Sequence, residues 1–454
     1  MIITYKKGNR TYNFSDNKNQ KNQNIFTVIV GKNGTGKSRL LNDILSNFIP
    51  FREVRAINIV DQDSIKINSK IDLEISSIPN KIIAVSTSPY DKFPLPRITS
   101  IRQNENDYYS YVGIRDLRTT NFSLGFMSKI IGQLLYIRST DSAQFSKIIE
   151  VLNYLGYSEE FHIVFEFRIL NSQLDNLFNS DNPERDFFEI FSRNNINRPY
   201  LHFFRTENEN LDIDKFDRLM SILIQIKDRR RSIYNLMVDS NTINSELKIE
   251  DISFLIEAGI ARLRDVGLRK LNSDKIYKIS EASSGEQCIF TTLVGISCNI
   301  SDNSLILIDE PEISLHPEWQ EKYITLLIET FKNFKNCHFI IATHSPQLIS
   351  RLSTENCYIL QMDNKELKNA KDYVNNSIDF QLANIFNSPG YKNEYLSRIA
   401  FSIISKVGKN KKFDDDDLKN YQIIKSQINF LQENDPIVNL FGLINELKSK
   451  DGRY

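Results

Sequence analysis

The residues best suited to chemistry form a glycine-rich stretch near the start of the chain, "GKNGTGKS". The apolar segment "IFTVIV" precedes it, and the helical pattern "SRLLNDILSNF" follows. In a strand–loop–helix of this kind, backbone N–H groups wrap around phosphates, a lysine reaches the β- and γ-phosphates and a hydroxyl holds Mg²⁺. The stretch therefore predicts an ATP-binding loop made of Gly31, Lys32, Asn33, Gly34, Thr35, Gly36, Lys37 and Ser38.

Two later apolar segments also end in residues that could act on a phosphate. In "SLILIDEP" the apolar residues are followed by Asp309 and Glu310, and in "CHFIIATHSP" they are followed by His344. Asp309 is expected to hold the Mg²⁺ shell, Glu310 to orient and deprotonate an attacking water, and His344 to sense the γ-phosphate. An ordinary acidic turn and a structural histidine are the alternatives. The phosphate loop in the same chain favours the catalytic interpretation, in which Lys37, Glu310 and His344 act together.

A third stretch, "EASSGEQCIF" from Glu281 to Phe290, places two serines and a glycine before an apolar helical pattern. The N–H groups at such a helix start suit a phosphate. Taken alone, the stretch is also typical of an ordinary capped helix. Its position just before the Asp309 strand favours a second phosphate-binding element, which raises the question of whose phosphate it holds.

The elements that must position these residues alternate between strand and helix at both ends of the chain. That alternation predicts an α/β core built from an N-terminal and a C-terminal piece. The expected divisions are an N-terminal core piece (1–95), a mainly helical insert (96–270), a C-terminal core piece (271–365) and a C-terminal helical extension (366–454). "ITYKK" and "RTYNF" are expected to pair as strands.

Within the insert, "EDISFLIEAGIARLRDVGL" is the clearest amphipathic segment. It predicts one helix with an apolar face. The residues expected on that face are Ile252, Leu255, Ile256, Ile260 and Leu263.

The composition and charge of the chain exclude several classes of protein. The 454 residues include 57 basic and 57 acidic side chains, so no global positive charge attracts the chain to nucleic acid. No apolar run approaches the length of a membrane span, and the N-terminus lacks the pattern of a signal peptide. The four cysteines show no CxxC spacing and are expected to be buried thiols. These features predict a soluble, cytoplasmic protein without a membrane partner.

The order of the four motifs resembles the ABC ATPase superfamily: Walker A, signature, Walker B and switch histidine. The resemblance implies an α/β fold, an ABC-type P-loop NTPase head with a helical lobe inserted between Walker A and the signature motif. Ser284 and Gly285 match the signature serine and its first glycine. Glu286 departs from the transporter pattern but is usual in the RecF, Rad50 and SMC-like branch. In that family, the signature binds the γ-phosphate of ATP held by a second subunit, so these three residues are expected to act in trans.

"DEPEISLHPEWQ" resembles the Walker B motif and D-loop of the same branch, which implies a subunit contact at Ser314, Leu315 and His316. The insert is too short for SMC arms and lacks the CxxC hook of Rad50. The glutamine of the Q-loop has no clear match. Gln103 is a candidate by position, whereas "STSPYDKFPL" follows the strand after which that glutamine is expected.

"STSPYDKFPL" and "YYSYVGIRD" also resemble compact ATPases of bacterial antiphage systems. The most similar family is PtuA of Septu systems and related retrons, which works with the HNH nuclease PtuB, and the AriA family of PARIS systems is second. This resemblance implies an ATPase with Mg²⁺, a catalytic site shared between two subunits, a homo-oligomer and a nuclease partner encoded nearby. The alternatives are a RecF-like DNA-repair ATPase and a scaffold that binds ATP with little hydrolysis.

Nuclease activity within the chain itself is not expected. His162, His202 and His338 form no HNH-like cluster, and no TOPRIM-like acidic pattern follows His344. The run "KNKKFDDDD", residues 409–417, is expected to be a solvated linker rather than a metal site.

Contact with DNA remains open at two basic clusters. One is "KDRRR", residues 227–231, and the other comprises Arg262, Arg264, Arg269 and Lys270. Each could be a solvated face or could line a groove that follows phosphates.

Overall fold

A computed structural model of the chain is organised around a seven-stranded β-sheet. The structure describes residues 1–16, 22–48, 57–61, 64–68, 72–95, 108–115, 122–169, 171–193, 202–206, 210–227, 233–239, 243–244, 247–273, 275–313, 315–352 and 356–450.

Within these ranges the strands are β1 (Ile2–Lys7), β2 (Arg10–Asn13), β3 (Ile25–Val30), β4 (Ile57–Asp61), β5 (Ser64–Asn68), β6 (Asp72–Ile75), β7 (Lys81–Ser86), β8 (Tyr109–Gly113), β9 (Tyr157–Phe167), β10 (Ile233–Val238), β11 (Ile243–Asn244), β12 (Ala261–Lys270), β13 (Ile276–Lys278), β14 (Ser304–Asp309), β15 (His338–Thr343), β16 (Cys357–Gln361) and β17 (Glu366–Asn369). The α-helices are α1 (Lys37–Phe48), α2 (Phe122–Thr140), α3 (Ser142–Tyr154), α4 (Asn171–Phe178), α5 (Pro183–Arg193), α6 (Ile213–Lys227), α7 (Ile249–Glu257), α8 (Ser284–Ser297), α9 (Pro317–Thr330), α10 (Pro346–Ser350), α11 (Ile378–Asn384), α12 (Glu394–Asn410), α13 (Asp415–Gln427) and α14 (Pro436–Lys450).

The central sheet has the strand order β17-β16-β3-β15-β14-β7-β8, and all its strands except β17 run parallel. The strand before the glycine-rich loop (β3) and the strand that ends in the two acids (β14) both pair with β15. Because parallel strands end at the same edge of a sheet, the three predicted motifs meet at one edge.

Apolar side chains on both faces of this sheet explain its burial. Along β14, Leu305 and Leu307 pack in a cluster with α1 and the N-terminal strands. Ile306 and Ile308 point the other way and pack with the helices that follow the insert. Each fully buried aliphatic side chain stabilises the fold by about 1.5–3 kcal/mol, so the acid-bearing strand has little freedom to move.

The N-terminal strands form a second, antiparallel sheet with the order β2-β1-β6-β5-β4. The predicted pairing of "ITYKK" with "RTYNF" is confirmed, with Tyr5 opposite Tyr12. In β1, Ile2 and Tyr5 pack in the same apolar cluster as α1, whereas Lys6 and Lys7 at the end of the strand are exposed.

The helices of the insert pack with strands that the sequence did not predict, and together with β13 these strands form a five-stranded antiparallel sheet, β11-β10-β9-β12-β13. In β9 the buried residues Phe161, Ile163 and Phe165 alternate with more exposed ones. This period of two is the pattern of a half-buried strand. Among the described residues of 96–270, helices still cover more of the chain than strands do, and the sheet adds to the predicted helical lobe.

The predicted long amphipathic helix of the insert is wrong in its second half. Helix α7 ends at Glu257, and Gly259 adopts a φ of +72°, which glycine adopts at little cost. The chain then continues as β12, so that Leu263 is buried in a strand and not on the helix face. The apolar residues on either side of Gly259 fit both a helical period of 3.6 and a strand period of two, so their spacing alone does not predict where the helix ends.

The C-terminal helices α11 to α14 share an apolar cluster of their own. The prediction of a linker at residues 409–417 is wrong, because this range contains the end of α12 and the start of α13. Asp414 caps α13 and forms a reciprocal capping box with Asp417. Farther along, Phe430 reaches the glycine-rich loop, with its ring centroid 4.2 Å from Lys32 Nζ. Among the described residues, no helix is long and apolar enough to cross a membrane.

Candidate nucleotide site

The glycine-rich loop turns directly from β3 into α1. Gly34 and Gly36 have φ values of +80° and +98°, a left-handed conformation that favours glycine. A short turn is closed by the Thr35 N–H, which donates to the Lys32 carbonyl oxygen at 3.3 Å. The glycines at these positions therefore allow a tight loop at the N-terminus of α1, where backbone N–H groups favour an anion.

Lys37 folds back beneath this loop instead of extending into solvent. Its Nζ donates to the Gly31 carbonyl oxygen at 2.9 Å, and the side chain is 4% exposed. Burial lowers the pKa of Lys37 to about 8, although the neighbouring Glu310 and Glu312 oppose that change. A buried ammonium near several carboxylates is positioned to neutralise an incoming anion.

Ser38 and Asp309 meet across the gap between α1 and β14. The Ser38 Oγ donates to Asp309 Oδ1 at 3.0 Å. The pKa of Asp309 is raised to about 7, mainly by burial; the bond from Ser38 opposes this change, and the nearby Glu310, Asp91 and Glu312 add to it. A cation would relieve this crowding of acids.

The donor set at Ser38 and Asp309 fits Mg²⁺. Both residues offer oxygen ligands, which hard divalent cations prefer. Among the described residues, no group of three or more His, Cys, Asp or Glu side chains could hold a metal unaided. Mg²⁺ usually keeps several waters and takes further oxygens from bound phosphates, so that one or two protein oxygens suffice to hold it.

Glu310 and His344 lie above the same edge of the sheet. Glu310 has a φ of +49°, an unusual backbone conformation for a residue with a side chain, and its N–H donates to the Ala342 carbonyl oxygen at 2.9 Å. Its Oε1 lies 3.4 Å from His344 Nε2, which in turn lies 2.6 Å from Lys37 Nζ. Burial and then the Lys37 charge lower the pKa of His344, which favours a neutral imidazole.

The signature stretch begins helix α8, and its cap is Ser283 instead of Ser284. The Ser283 hydroxyl accepts from the Glu286 N–H at 3.3 Å, while the Glu286 carboxylate accepts from the Ser283 N–H at 2.9 Å. Ser284 is exposed and Gly285 is buried. Among the residues described here, no hydrogen bond or ion pair joins Ser284, Gly285 or Glu286 to the phosphate loop of the same chain.

The three residues predicted to form the D-loop contact differ in their surroundings. Ser314 lies outside the described residues. Leu315 is buried in the main core of its own chain, so its side chain is not on the surface. His316 is exposed and caps α9, with its Nδ1 accepting from the Glu318 N–H at 3.5 Å.

Two acids at this edge were missed by the sequence analysis. Asp91 lies after β7 in the stretch "STSPYDKFPL", and the parallel register places Ser86 beside Asp309. The Asp91 carboxylate accepts from the Tyr111 hydroxyl at 2.6 Å and from Arg115 Nη1 at 3.1 Å. Glu312, the second acid, contacts the end of β15. The pairing of β7 with β14 brings Asp91 to the site, and the pairing of β14 with β15 brings Glu312 to His344. The candidate Gln103 lies outside the described residues.

The family of the chain follows from a match over most of its length. A family model described as "AAA domain, putative AbiEii toxin, Type IV TA system" matches residues 26–350. That span is well over half of the chain. The chain belongs to this AAA family. Together with the parallel strand order, the family confirms the predicted fold class, an α/β P-loop NTPase head of the ABC-like type.

Several curated proteins are similar to this AAA-family chain. "Retron Ec83 probable ATPase" from Escherichia coli is 28% identical over 37% of this chain and 33% of its own length. "Retron Vc95 probable ATPase" from Vibrio cholerae is 22% identical over 76% of this chain and 71% of its own length. "Endonuclease GajA" from Bacillus cereus is 22% identical over 74% of this chain and 54% of its own length. The chain thus spans between 33% and 71% of the length of these relatives.

Among solved structures, an Smc head domain derived from Pyrococcus furiosus, bound to the C-terminal domain of ScpA, aligns over 81% of this chain and 95% of that chain. The identity is 12% and the TM-score is 0.28. A TM-score this low does not establish a shared fold, so the fold assignment is based on the strand order and the family match.

The remaining histidines of this AAA-family chain have structural partners where the structure describes them. His162 Nε2 lies 2.5 Å from Glu160, and His338 is buried with its Nε2 2.9 Å from the Thr27 hydroxyl. The side chain of His202 lies outside the description.

The basic cluster on β12 is paired with acids on β9. Arg262 and Arg264 both contact Glu166, the latter at 3.3 Å, and Arg269 lies 3.1 Å from Glu160. These ion pairs favour the interpretation of a solvated, internally neutralised face. Residues 228–231 of the other basic cluster lie outside the described residues.

Proposed function

We propose that the chain is the ATP-hydrolysing subunit of a bacterial antiphage defence system, and that its nucleotide state controls a partner nuclease. The observation that carries the ATPase part is the assembly of Lys37, the Ser38–Asp309 pair, Glu310 and His344 at one sheet edge. The similarity to two retron ATPases and to an endonuclease supports the defence role.

Hydrolysis at this site would depend on position and charge. Lys37 and the loop N–H groups would bind the phosphates, while Glu310 would orient water and accept its proton as the terminal P–O bond breaks. Neutral His344, between Glu310 and Lys37, would hold a hydrogen bond to the γ-phosphate. Mg²⁺ held at Ser38 and Asp309 would supply charge neutralisation of the phosphates.

A second copy of the chain would complete the pocket with the start of α8. Two features support this: Ser284 is exposed, and the signature has no hydrogen bond to its own phosphate loop among the described residues. A homodimer, or a multiple of dimers, would then bury ATP between one phosphate loop and the other copy's Ser284, Gly285 and Glu286. His316 at the start of α9 would lie at the same junction.

Complementation between two inactive variants tests the shared pocket. Lys37→Ala and Ser284→Arg should each abolish turnover alone. Random mixing makes about half of the dimers mixed, each with one intact pocket, so about a quarter of wild-type turnover should return. A mixture of Lys37→Ala with Asp309→Asn is the control, because both changes lie in the same half of the pocket. Full turnover by a strictly monomeric preparation would refute the shared site.

The defence role needs a separate experiment. The chain should co-purify with a nuclease encoded beside it, of the HNH type in a Septu-like system, and phage protection should require Lys37. Salt-dependent binding to gapped or single-stranded DNA, with no nuclease partner and no protection, would instead support a RecF-like repair ATPase. Stable oligomers with negligible turnover would support a scaffold.

A further inference from the structure

Glu312, which has no assigned role, holds the backbone on which His344 is mounted. One of its carboxylate oxygens, Oε1, accepts from the His344 N–H at 2.6 Å and from the Thr343 hydroxyl at 2.8 Å. Glu312 lies in the turn after β14, and Thr343 and His344 lie at the end of β15. A single oxygen atom therefore ties together the ends of the two strands that carry Glu310 and His344.

The other side of His344 is held by a second set of hydrogen bonds. The Thr343 hydroxyl accepts from the Ser345 N–H at 2.9 Å, and the Ser345 hydroxyl donates to Gln320 Oε1 at 2.7 Å. Gln320 Nε2 donates to the Leu315 carbonyl oxygen at 3.0 Å. The turn around His344 is thus connected, bond by bond, to the segment before α9, where the subunit contact is proposed.

Packing alone does not account for an acid at position 312. Burial raises the pKa of Glu312, and the bonds from His344 and Thr343 oppose that change. Its second oxygen, Oε2, is buried and has no hydrogen-bond partner within the described part of the chain. A half-satisfied buried carboxylate costs stability compared with an apolar residue. Its hydrogen bond to the backbone of His344 points to a role in the geometry of the site.

We propose that Glu312 is a positioning residue that fixes His344 between Lys37 and Glu310, and that Gln320 links this turn to the segment before α9. The proposal rests on the catalytic role of His344 in the proposed function. His344 Nε2 must stay within hydrogen-bonding distance of a phosphate oxygen, and a displacement of its backbone would move the ring directly. Removal of Glu312 should therefore impair hydrolysis more than ATP binding.

A pair of variants separates positioning from general stability. Glu312→Ala removes the acceptor, and we expect kcat to fall about 10- to 100-fold while KM for ATP changes less than about two-fold. Glu312→Gln retains an acceptor oxygen and should keep kcat within about three-fold of wild type. Glu329→Ala, at an exposed ion pair near the end of α9, is the matched control and should not alter turnover. Equal losses in the Ala and Gln variants would refute the positioning role.

A double-mutant cycle with His344→Ala provides the deciding measurement. If Glu312 acts through His344, adding Glu312→Ala to His344→Ala should lower kcat by less than about two-fold further. Multiplied losses would overturn the positioning proposal while leaving the catalytic role of His344 intact. Wild-type turnover in His344→Ala alone would instead overturn that catalytic role, and the positioning proposal with it.

If Glu312→Ala does not fold, Thr343→Val tests the same link, because it removes the hydroxyl that bridges Glu312 and the Ser345 N–H while keeping a similar shape. We expect Thr343→Val to lower kcat about three- to ten-fold and to add nothing to His344→Ala. Unchanged turnover in a folded Thr343→Val variant would refute the proposal.

Discussion

Replacing Asp309 with asparagine should stabilise the nucleotide-free protein while it abolishes hydrolysis. Asparagine keeps the Oδ1 acceptor for the Ser38 hydroxyl but cannot ionise. Burial raises the pKa of Asp309 from its ordinary 3.8 to about 7, so the folded state resists ionisation that the unfolded state undergoes freely. Stability contributed by this group is therefore lost as pH rises from about 4 to about 7.

The size of the effect follows from those two pKa values. A difference of about three pH units, at 1.36 kcal/mol for each, corresponds to roughly 4 kcal/mol at pH 8. At pH 5 about a third of that penalty is present. The advantage of Asp309→Asn over wild type in free energy of unfolding should therefore grow by about 2–3 kcal/mol between pH 5 and pH 8.

Urea unfolding, followed by tryptophan fluorescence in EDTA without nucleotide, measures this difference. Trp319 lies at the start of α9, close in sequence to the Asp309 strand, and it is the only tryptophan of the chain. Asp416→Asn, at a side chain that is 77% exposed, should show no comparable pH dependence. An Asp309→Asn advantage that is equal at pH 5 and pH 8, or a destabilised variant, would refute the reasoning.

Three further predictions concern the same edge of the sheet. Glu310→Gln should bind ATP but hydrolyse it at least about 100-fold more slowly, so that ATP-bound oligomers accumulate in size-exclusion chromatography; a monomer in ATP would contradict the shared pocket. Lys37→Ala should weaken ATP affinity at least about ten-fold in equilibrium titration, because a buried counter-charge is lost, and unchanged affinity would contradict its role. Gly36→Ala should destabilise the loop by about 1–3 kcal/mol because of its φ of +98°, whereas Gly408→Ala, on a helix with open space around it, should stabilise by about 0.5–1 kcal/mol. Thermal unfolding measures both changes in stability. Equal melting temperatures for Gly36→Ala and Gly408→Ala would contradict this prediction.

The parts of the site that the sequence predicts are those encoded locally. The glycine-rich loop needs only a short run of residues between a strand and a helix, and Asp309, Glu310 and His344 each end a strongly apolar strand. The structure brings these residues within hydrogen-bonding distance of one another. Their catalytic roles stay predictions.

The parts that the sequence could not predict depend on distant pairing or on competing local patterns. Asp91 reaches the site because β7 pairs with β14, and Glu312 contacts His344 because β14 pairs with β15. The sequence predicts a helix where β12 begins, because Ile260 and Leu263 continue the spacing of α7 beyond Gly259. The acidic run from Asp414 is a helix cap, a function that its charge alone does not reveal.

The interleaved order of the central strands has a consequence for biosynthesis. β3 is made early, but its neighbours β15 and β16 lie more than 300 residues later, with Ile25 opposite His338. During translation at about 5–20 residues per second, both edges of β3 therefore remain unpaired for tens of seconds. Such long-range pairing slows folding and exposes strand edges to aggregation. A ribosome-bound chain that stops before β15 should depend on chaperones, and the phosphate loop gains its shape only when the last strands arrive.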